Sequence, residues 1–240
     1  MIDKIRKKNI EIQGTIASQK KSLSIINQLL KTKFNYQFDW LGIPTIQFPN
    51  DMMVIQELIF KQKPKIIIEC GIGHGGMLIF YASILKCLNI KNFKIIGIDV
   101  LIKKENRKKI ENHPLSKYIK LYETSSIDNS FFEKFKKNTF IKKKSKLIIL
   151  DSNHTKNHVS KELDLYSTLL KKGEYIIVMD TIIEFVNKIY NKGKQFKKGN
   201  SPYNSVIEFL NKNKKFKVDN YYENKSYLTV AKKGFLKKIK

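Results

Sequence analysis

Arginine is almost missing from this chain. Two arginines stand against 45 lysines in 240 residues, so a formal net charge of +26 is made almost wholly of lysine. Proteins that read nucleic acids rely on the bidentate guanidinium fork, and its scarcity argues against a polyanion reader. Lys, Ile and Asn together fill 100 positions. All three can be written with A/T-rich codons, so the charge points first to coding composition and a solvated lysine surface. Cysteine is as scarce: Cys70 and Cys87 have no metal-ligand or disulfide-framework spacing, which fits a reducing compartment. Long apolar runs are absent too. The longest uncharged stretch, residues 70–85, is broken by four glycines and is too short to span a bilayer. The charged N-terminus shows no signal-peptide apolar core. These absences predict a soluble cytoplasmic protein without a membrane span. A hydrophobic content of 42% excludes a disordered chain despite the heavy charge.

What is present is a regular alternation. Residues 1–33 carry Ile2, Ile5, Ile12, Ile16, Leu23, Ile26 and Leu29 among lysines and glutamines, a helical amphipathic pattern. Residues 34–50 gather Phe34, Tyr36, Phe38, Trp40 and Phe48 around Pro44 and Pro49, and read as a packed loop. Residues 1–50 are thus a helical and aromatic-loop extension ahead of a domain over 51–240. A helix at 52–61 opens that domain. Then strands at 66–68, 93–98, 119–123, 147–150 and 174–179 alternate with helices at 77–88, 103–112, 129–137 and 158–170. A helix at 202–213 and two closely spaced strands at 216–219 and 227–231 follow, too close for a crossover and so antiparallel. The order predicts an α/β, Rossmann-like fold with a mostly parallel sheet and an antiparallel C-terminal strand. Residues 182–200, rich in Lys, Asn and Gly, read as a mobile loop at the strand ends.

Ligands of such sheets bind beyond the carboxyl ends of the strands. Those ends are Glu69, Asp99, Glu123 with Thr124, Ser125 and Ser126, then Asp151 and Asp180. The first turn reads Glu69-Cys70-Gly71-Ile72-Gly73-His74-Gly75-Gly76. Its glycines allow positive φ and close approach of a ligand; they run G-x-G-x-G-G, which contains the G-x-G-x-x-G spacing of a pyrophosphate site, so the acidic residue ahead of them discriminates between ligands. An acidic residue before the turn would repel phosphates and favour a cationic ligand such as S-adenosylmethionine. Asp99 is placed for ribose hydroxyls. Asp151 and Asp180, on neighbouring strand ends, can converge on a hard cation such as Mg²⁺. His154 is then within reach of a hydroxyl held there, as general base. Asp151 as a helix cap and His154 as an ordinary loop histidine are the plainer alternatives. His154 and His158 as paired metal ligands on one helix face fit less well, because the helix is expected to begin only near His158.

These residues resemble the cephalosporin hydroxylase/rhamnosyl O-methyltransferase family over most of the chain, from about Phe34 to Leu236. The likeness lies in several motifs taken in order: Asp39-Trp40-Leu41-Gly42-Ile43-Pro44-Thr45-Ile46-Gln47 with Pro49 and Asp51; Glu69-Cys70-Gly71 with His74-Gly75-Gly76; Gly97-Ile98-Asp99-Val100; Asn112-His113-Pro114-Leu115; Leu150-Asp151-Ser152-Asn153-His154 with His158 and Glu162; and Gly173-Glu174-Tyr175 with Asp180-Thr181. The resemblance implies a class I, S-adenosylmethionine-dependent O-methyltransferase with a Mg²⁺-assisted site, acting on a sugar or sugar-linked hydroxyl in polysaccharide or natural-product biosynthesis. It implies Asp151 and Asp180 as metal ligands and His154 as base. Glu69, Gly71, Gly73, His74, Gly75, Asp99, Ser125 and Ser126 would hold the cofactor. A homo-oligomer is implied as well. One departure stands out: Met179 precedes Asp180 where relatives carry an acidic pair, and a thioether is a poor ligand for Mg²⁺. Thr181 offers a further oxygen. Two rival readings remain open, a nucleic-acid methyltransferase driven by the charge and a non-catalytic scaffold that binds cofactor without turnover.

Overall fold

The computed structural model describes residues 1–187 and 192–240. Five parallel strands form most of a seven-stranded sheet: β3 (Ile66–Cys70), β4 (Lys94–Asp99), β5 (Ile119–Glu123), β6 (Lys146–Leu150) and β7 (Tyr175–Val178). Two more, β8 (Phe216–Val218) and β9 (Phe235–Lys238), complete it in the order β5-β4-β3-β6-β7-β9-β8, with β9 antiparallel to both neighbours. The central strands are buried on both faces, so their apolar side chains sort by alternation. Ile67, Leu147, Ile149 and Ile177 pack against α3 (Pro49–Gln62) and α4 (Gly76–Cys87). Ile66, Ile68, Ile148, Leu150, Ile176 and Val178 pack with α6 (Asn129–Lys137), α8 (Lys156–Tyr166) and α9 (Pro202–Lys212). Connections from β3 go to one side and those from β6 to the other, so the strand order reverses between them. That reversal opens a crevice beyond Cys70 and Leu150.

The N-terminal segment folds as two helices, α1 (Ile2–Gln13) and α2 (Ile16–Lys31), split at Gly14. Ile26 of α2 is fully buried in the core, whereas Ile2, Ile5 and Ile12 of α1 are exposed. The expected packed loop at 34–50 contains a hairpin, β1 (Phe38–Trp40) with β2 (Ile43–Thr45). Leu41 and Gly42 both take positive φ at its two-residue turn, as a primed hairpin turn requires. The hairpin lies on α4: Trp40 Nε1 donates to Ser83 Oγ at 3.1 Å, and a Cβ at Gly76 would stand 2.4 Å from the Pro44 carbonyl oxygen. Of the remaining helices, α5 (Lys104–Glu111) matches expectation, α7 (Thr139–Lys143) was not foreseen, and α8 begins earlier than expected and ends at Tyr166 in a 3-10 turn. Among the described residues no helix is long and apolar enough to cross a membrane.

The last expected strand, 227–231, does not form. Residues 220–226 make the short helix α10 (Asn220–Ser226), and the final strand lies further on at β9. The reason is Asp51 in α3, which is wholly buried and accepts from Ser226 Oγ at 2.8 Å and from the Val230 backbone N–H at 2.9 Å. Val230 has thereby spent its N–H, and its carbonyl accepts from the Ile182 N–H and the Thr181 hydroxyl. Burial, opposed by these hydrogen bonds and helped by nearby Asp180, raises the Asp51 carboxyl to about 6. Asp51→Ala strands a buried N–H and a buried hydroxyl, each worth about 1–3 kcal/mol, so urea denaturation at pH 4 should show a loss of about 2–6 kcal/mol. The raised value has a definite sign. The unfolded carboxyl ionises first as pH rises, so the Asp51 contribution shrinks between about 4 and about 6. The penalty of the substitution should therefore be smaller at pH 7 than at pH 4.

Candidate active site

At the crevice the chain needs glycine. Gly71 follows β3 with φ +85°, and a Cβ there would lie 2.2 Å from the Asp151 carbonyl oxygen. Its N–H donates to the Ile98 carbonyl at 2.8 Å, while Asp151 N–H donates to the Cys70 carbonyl at 2.8 Å. The two strand-end loops are thus stitched edge to edge. Gly75, at φ +90°, opens α4. Asp99 Oδ2 accepts from Ile72 N–H at 2.9 Å and its Oδ1 from Leu101 N–H at 3.1 Å, which fixes the glycine turn against the end of β4. Glu69 points in from β3 and is 2% exposed. Burial foremost, and then the neighbouring charge of Asp151, hold its carboxyl well above the ordinary range, although Tyr81 donates to its Oε1 at 2.8 Å.

Across the crevice stand Asp151, His154 and Asp180. His154 Nε2 lies 3.1 Å from Asp180 Oδ2 and 3.7 Å from Asp151 Oδ1. One ligand atom from each residue lies within 4.8 Å of the others, the only such group of three or more His, Cys, Asp or Glu among the described residues. Burial raises Asp151 to about 6. For His154 burial disfavours the charged ring, yet Asp180 and Asp151 outweigh it and hold the imidazole at about 9. Asp180 adopts φ +54°, a conformation a non-glycine residue takes at a cost and one often found at functional sites. Asp151 is no helix cap, since Thr155 holds that position for α8. The His154 ring lies 5.1 Å from that of Phe196. One cavity of about 970 Å³ joins the glycine turn, the carboxylates, Ser125 and Ser126, and a more apolar region with Tyr36, Phe48, Ile182 and Phe196. That volume is ample for a nucleoside-sized cofactor beside an acceptor.

Residues 32–239 match the family model described as Rhamnosyl O-methyltransferase/CmcI. The chain belongs to this family. The rhamnosyl O-methyltransferase of Mycobacterium bovis (strain BCG / Pasteur 1173P2) is 30% identical over 215 residues, covering 87% of this chain and 79% of that one. A solved structure of CmcI with Mg and SAM superposes with a TM-score of 0.58 at 20% identity, over 85% of this chain and 78% of its own. An O-methyltransferase from Bacillus cereus in complex with SAH reaches 0.53 at 13% identity, over 90% of each chain. These two structures share the fold, a class I methyltransferase α/β sheet.

Against this family's pattern, the expected residues fall into place unevenly. All the residues expected to hold cofactor, metal or proton line the one cavity except Gly75, which sits beneath it at the N-cap of α4. Glu123 does not join them: it pairs with Arg107 at 2.9 Å on the outer strand β5. Met179 is 1% exposed and turned into the apolar core. It is therefore no ligand, and the departure from an acidic pair removes one oxygen donor from the site. Thr181 is no substitute, because its hydroxyl is buried and committed to the Val230 carbonyl at 3.2 Å. The expected mobile loop begins with a 3-10 turn at Thr181–Glu184, and its residues 188–191 lie outside the described residues. Two side chains quoted only as motif members prove central. Gln47 donates to Asp151 Oδ2 at 2.7 Å. Glu162, wholly buried, accepts from both Ser126 and Ser152 at 2.6 Å, tying the loop after β5 to the loop after β6. His158 Nε2 also sits on Ser126, at 3.1 Å, and is not paired with His154.

Proposed function

We propose that the chain is an S-adenosylmethionine-dependent O-methyltransferase that methylates a hydroxyl of a sugar or sugar-linked small molecule, with Mg²⁺ assistance. One observation carries the reading: Glu69 and the glycine turn share a single cavity with Asp151, His154 and Asp180. Family membership and the rhamnosyl O-methyltransferase relatives support the reaction and the acceptor class. The donor set suits a hard cation: two carboxylates and few other side chains leave coordination positions for waters and an acceptor oxygen. Asp151 and Asp180 would hold it, and a bound Mg²⁺ lowers the pKa of a hydroxyl beside it. S-adenosylmethionine supplies an electrophilic methyl group on a sulfonium.

Each residue then has a task. Glu69 and the glycine turn receive the cationic end of the cofactor, and Ser125 and Ser126 face its nucleoside end. Burial favours the neutral ring of His154, and a cation held by Asp151 and Asp180 would offset the two charges that keep the proton on it. His154 then takes the hydroxyl proton at Nε2. The cofactor, when bound, would supply its methyl group to the acceptor oxygen and keep the electron pair of the broken carbon–sulfur bond on sulfur. Phe196, Ile182 and Phe48 exclude water from the reacting oxygen. Isothermal calorimetry with S-adenosylmethionine tests the core of the reading, and no heat at millimolar ligand overturns it. Chelation with EDTA should abolish methyl transfer to rhamnosides and spare cofactor binding; turnover that survives chelation removes the metal from the mechanism.

A further inference from the structure

Among the described residues, two acceptor oxygens in the cavity are buried and without a donor: Gln47 Oε1 and Glu69 Oε2. Gln47 is 5% and Glu69 2% exposed, so water does not readily satisfy them, and buried acceptors are seldom left bare. The orientation of the Gln47 amide follows from chemistry. An ionised carboxylate only accepts, so the nitrogen must face Asp151, 2.7 Å away, and the oxygen must face elsewhere. Glu69 has Oε1 taken by the Tyr81 hydroxyl, and a cationic group at its Oε2 would favour the ionised, accepting form that burial opposes. Ile46 meanwhile brings the segment after β2 onto the glycine turn, its Cδ1 lying 3.5 Å from where a Cβ on Gly73 would stand. Two empty acceptors beside one glycine turn match a ligand group with several N–H donors and a positive charge.

We propose that Gln47 Oε1 binds the α-ammonium of the cofactor's methionine moiety together with Glu69 Oε2, so that residues ahead of the α/β domain complete its cofactor site. The assignment rests on the cofactor reading above and adds to it a residue, a ligand group and a division of labour. Through its nitrogen Gln47 fixes Asp151 on the acceptor side. Through its oxygen it holds the cofactor, so one amide spans the two halves of the cavity.

The test is calorimetry on the full chain in EDTA with two ligands, S-adenosylhomocysteine and its deaminated analogue, which has hydrogen in place of the ammonium. The wild type should prefer the amine by about 10- to 100-fold, the worth of hydrogen bonds to a charged group. Gln47→Met keeps the length and removes the acceptor, so that preference should fall at least about fivefold. Gln47→Glu restores an acceptor and adds charge, and its preference should equal or exceed that of the wild type. An unchanged ratio in Gln47→Met, or a lowered one in Gln47→Glu, overturns the assignment while leaving the cofactor reading intact. A wild type that binds neither ligand overturns the cofactor reading itself. An acceptor KM that rises in Gln47→Met with no change in the ligand ratio means that Oε1 faces the acceptor hydroxyl and also overturns the proposal.

Discussion

His154→Asn should lower the rate of methyl transfer by about 10²- to 10⁴-fold, the usual contribution of a positioned general base, while S-adenosylmethionine affinity stays within about twofold. The separation is geometric. His154 lies 3.1 Å from Asp180 and 3.7 Å from Asp151, and its ring is tilted against that of Phe196 at 5.1 Å, on the acceptor side of the cavity. Its loop is anchored independently, through the Asp151 N–H on Cys70 and the Ser152 hydroxyl on Glu162. An Asn side chain therefore leaves the cofactor wall standing and removes only the proton acceptor. The same geometry explains why chelation and this substitution should resemble each other. Without a cation, Asp180 and Asp151 overcome the effect of burial and hold the imidazole at about 9, so the ring is charged at neutral pH and cannot accept a proton. A variant that keeps wild-type turnover would show that His154 merely neutralises the two carboxylates.

Much of this site was legible because the sheet is regular. An apolar run followed by an acidic residue marks a buried parallel strand and its carboxyl end. Ile66-Ile67-Ile68 before Glu69 and Leu147-Ile148-Ile149-Leu150 before Asp151 are such marks, and both strands formed there. What was not legible depends on partners far away in sequence. The 227–231 segment alternates like a strand, yet Asp51, 179 residues earlier, takes the N–H of Val230. Gln47 sits in a Pro-flanked aromatic stretch that gives no local sign of its partner, Asp151, 104 residues on. The hairpin escaped notice because each arm has three residues, too few to show a period. Carboxylates misled once: Glu123 ends a strand as Asp99 does, but β5 is the sheet edge, away from the reversal point. The lysine excess has the opposite lesson. Four carboxylates, Glu69, Asp99, Asp151 and Asp180, line the cavity of a chain with charge +26. These carboxylates outnumber the two lysines, Lys33 and Lys194, that line the same cavity, so it is not a built phosphate site, which weakens the nucleic-acid reading.

Gly71→Ala should be severely damaging. Two penalties fall on one atom. At φ +85° an alanine is strained, a cost of about 1–3 kcal/mol. Its Cβ would also stand 2.2 Å from the Asp151 carbonyl oxygen, 2.5 Å from the Asp151 carbonyl carbon and 2.5 Å from Ser152 Cα. All three are backbone atoms at the end of a strand buried on both faces, so no rotamer change relieves the overlap. Relief requires the loop that carries Asp151 and His154 to move away from the turn that carries the cofactor, breaking the Asp151 hydrogen bond to Cys70. Stability should fall by several kcal/mol, and any folded fraction should have lost methyl transfer and cofactor binding together. Gly173→Ala separates the two penalties. Its φ of +91° imposes similar strain, but nothing lies within 4 Å of its added methyl, so it should cost about 1–3 kcal/mol and leave turnover intact. Thermal melts and rate assays on both variants decide the matter: equal destabilisation, or an active Gly71→Ala enzyme, would show that the two loops do not need this contact to assemble the site.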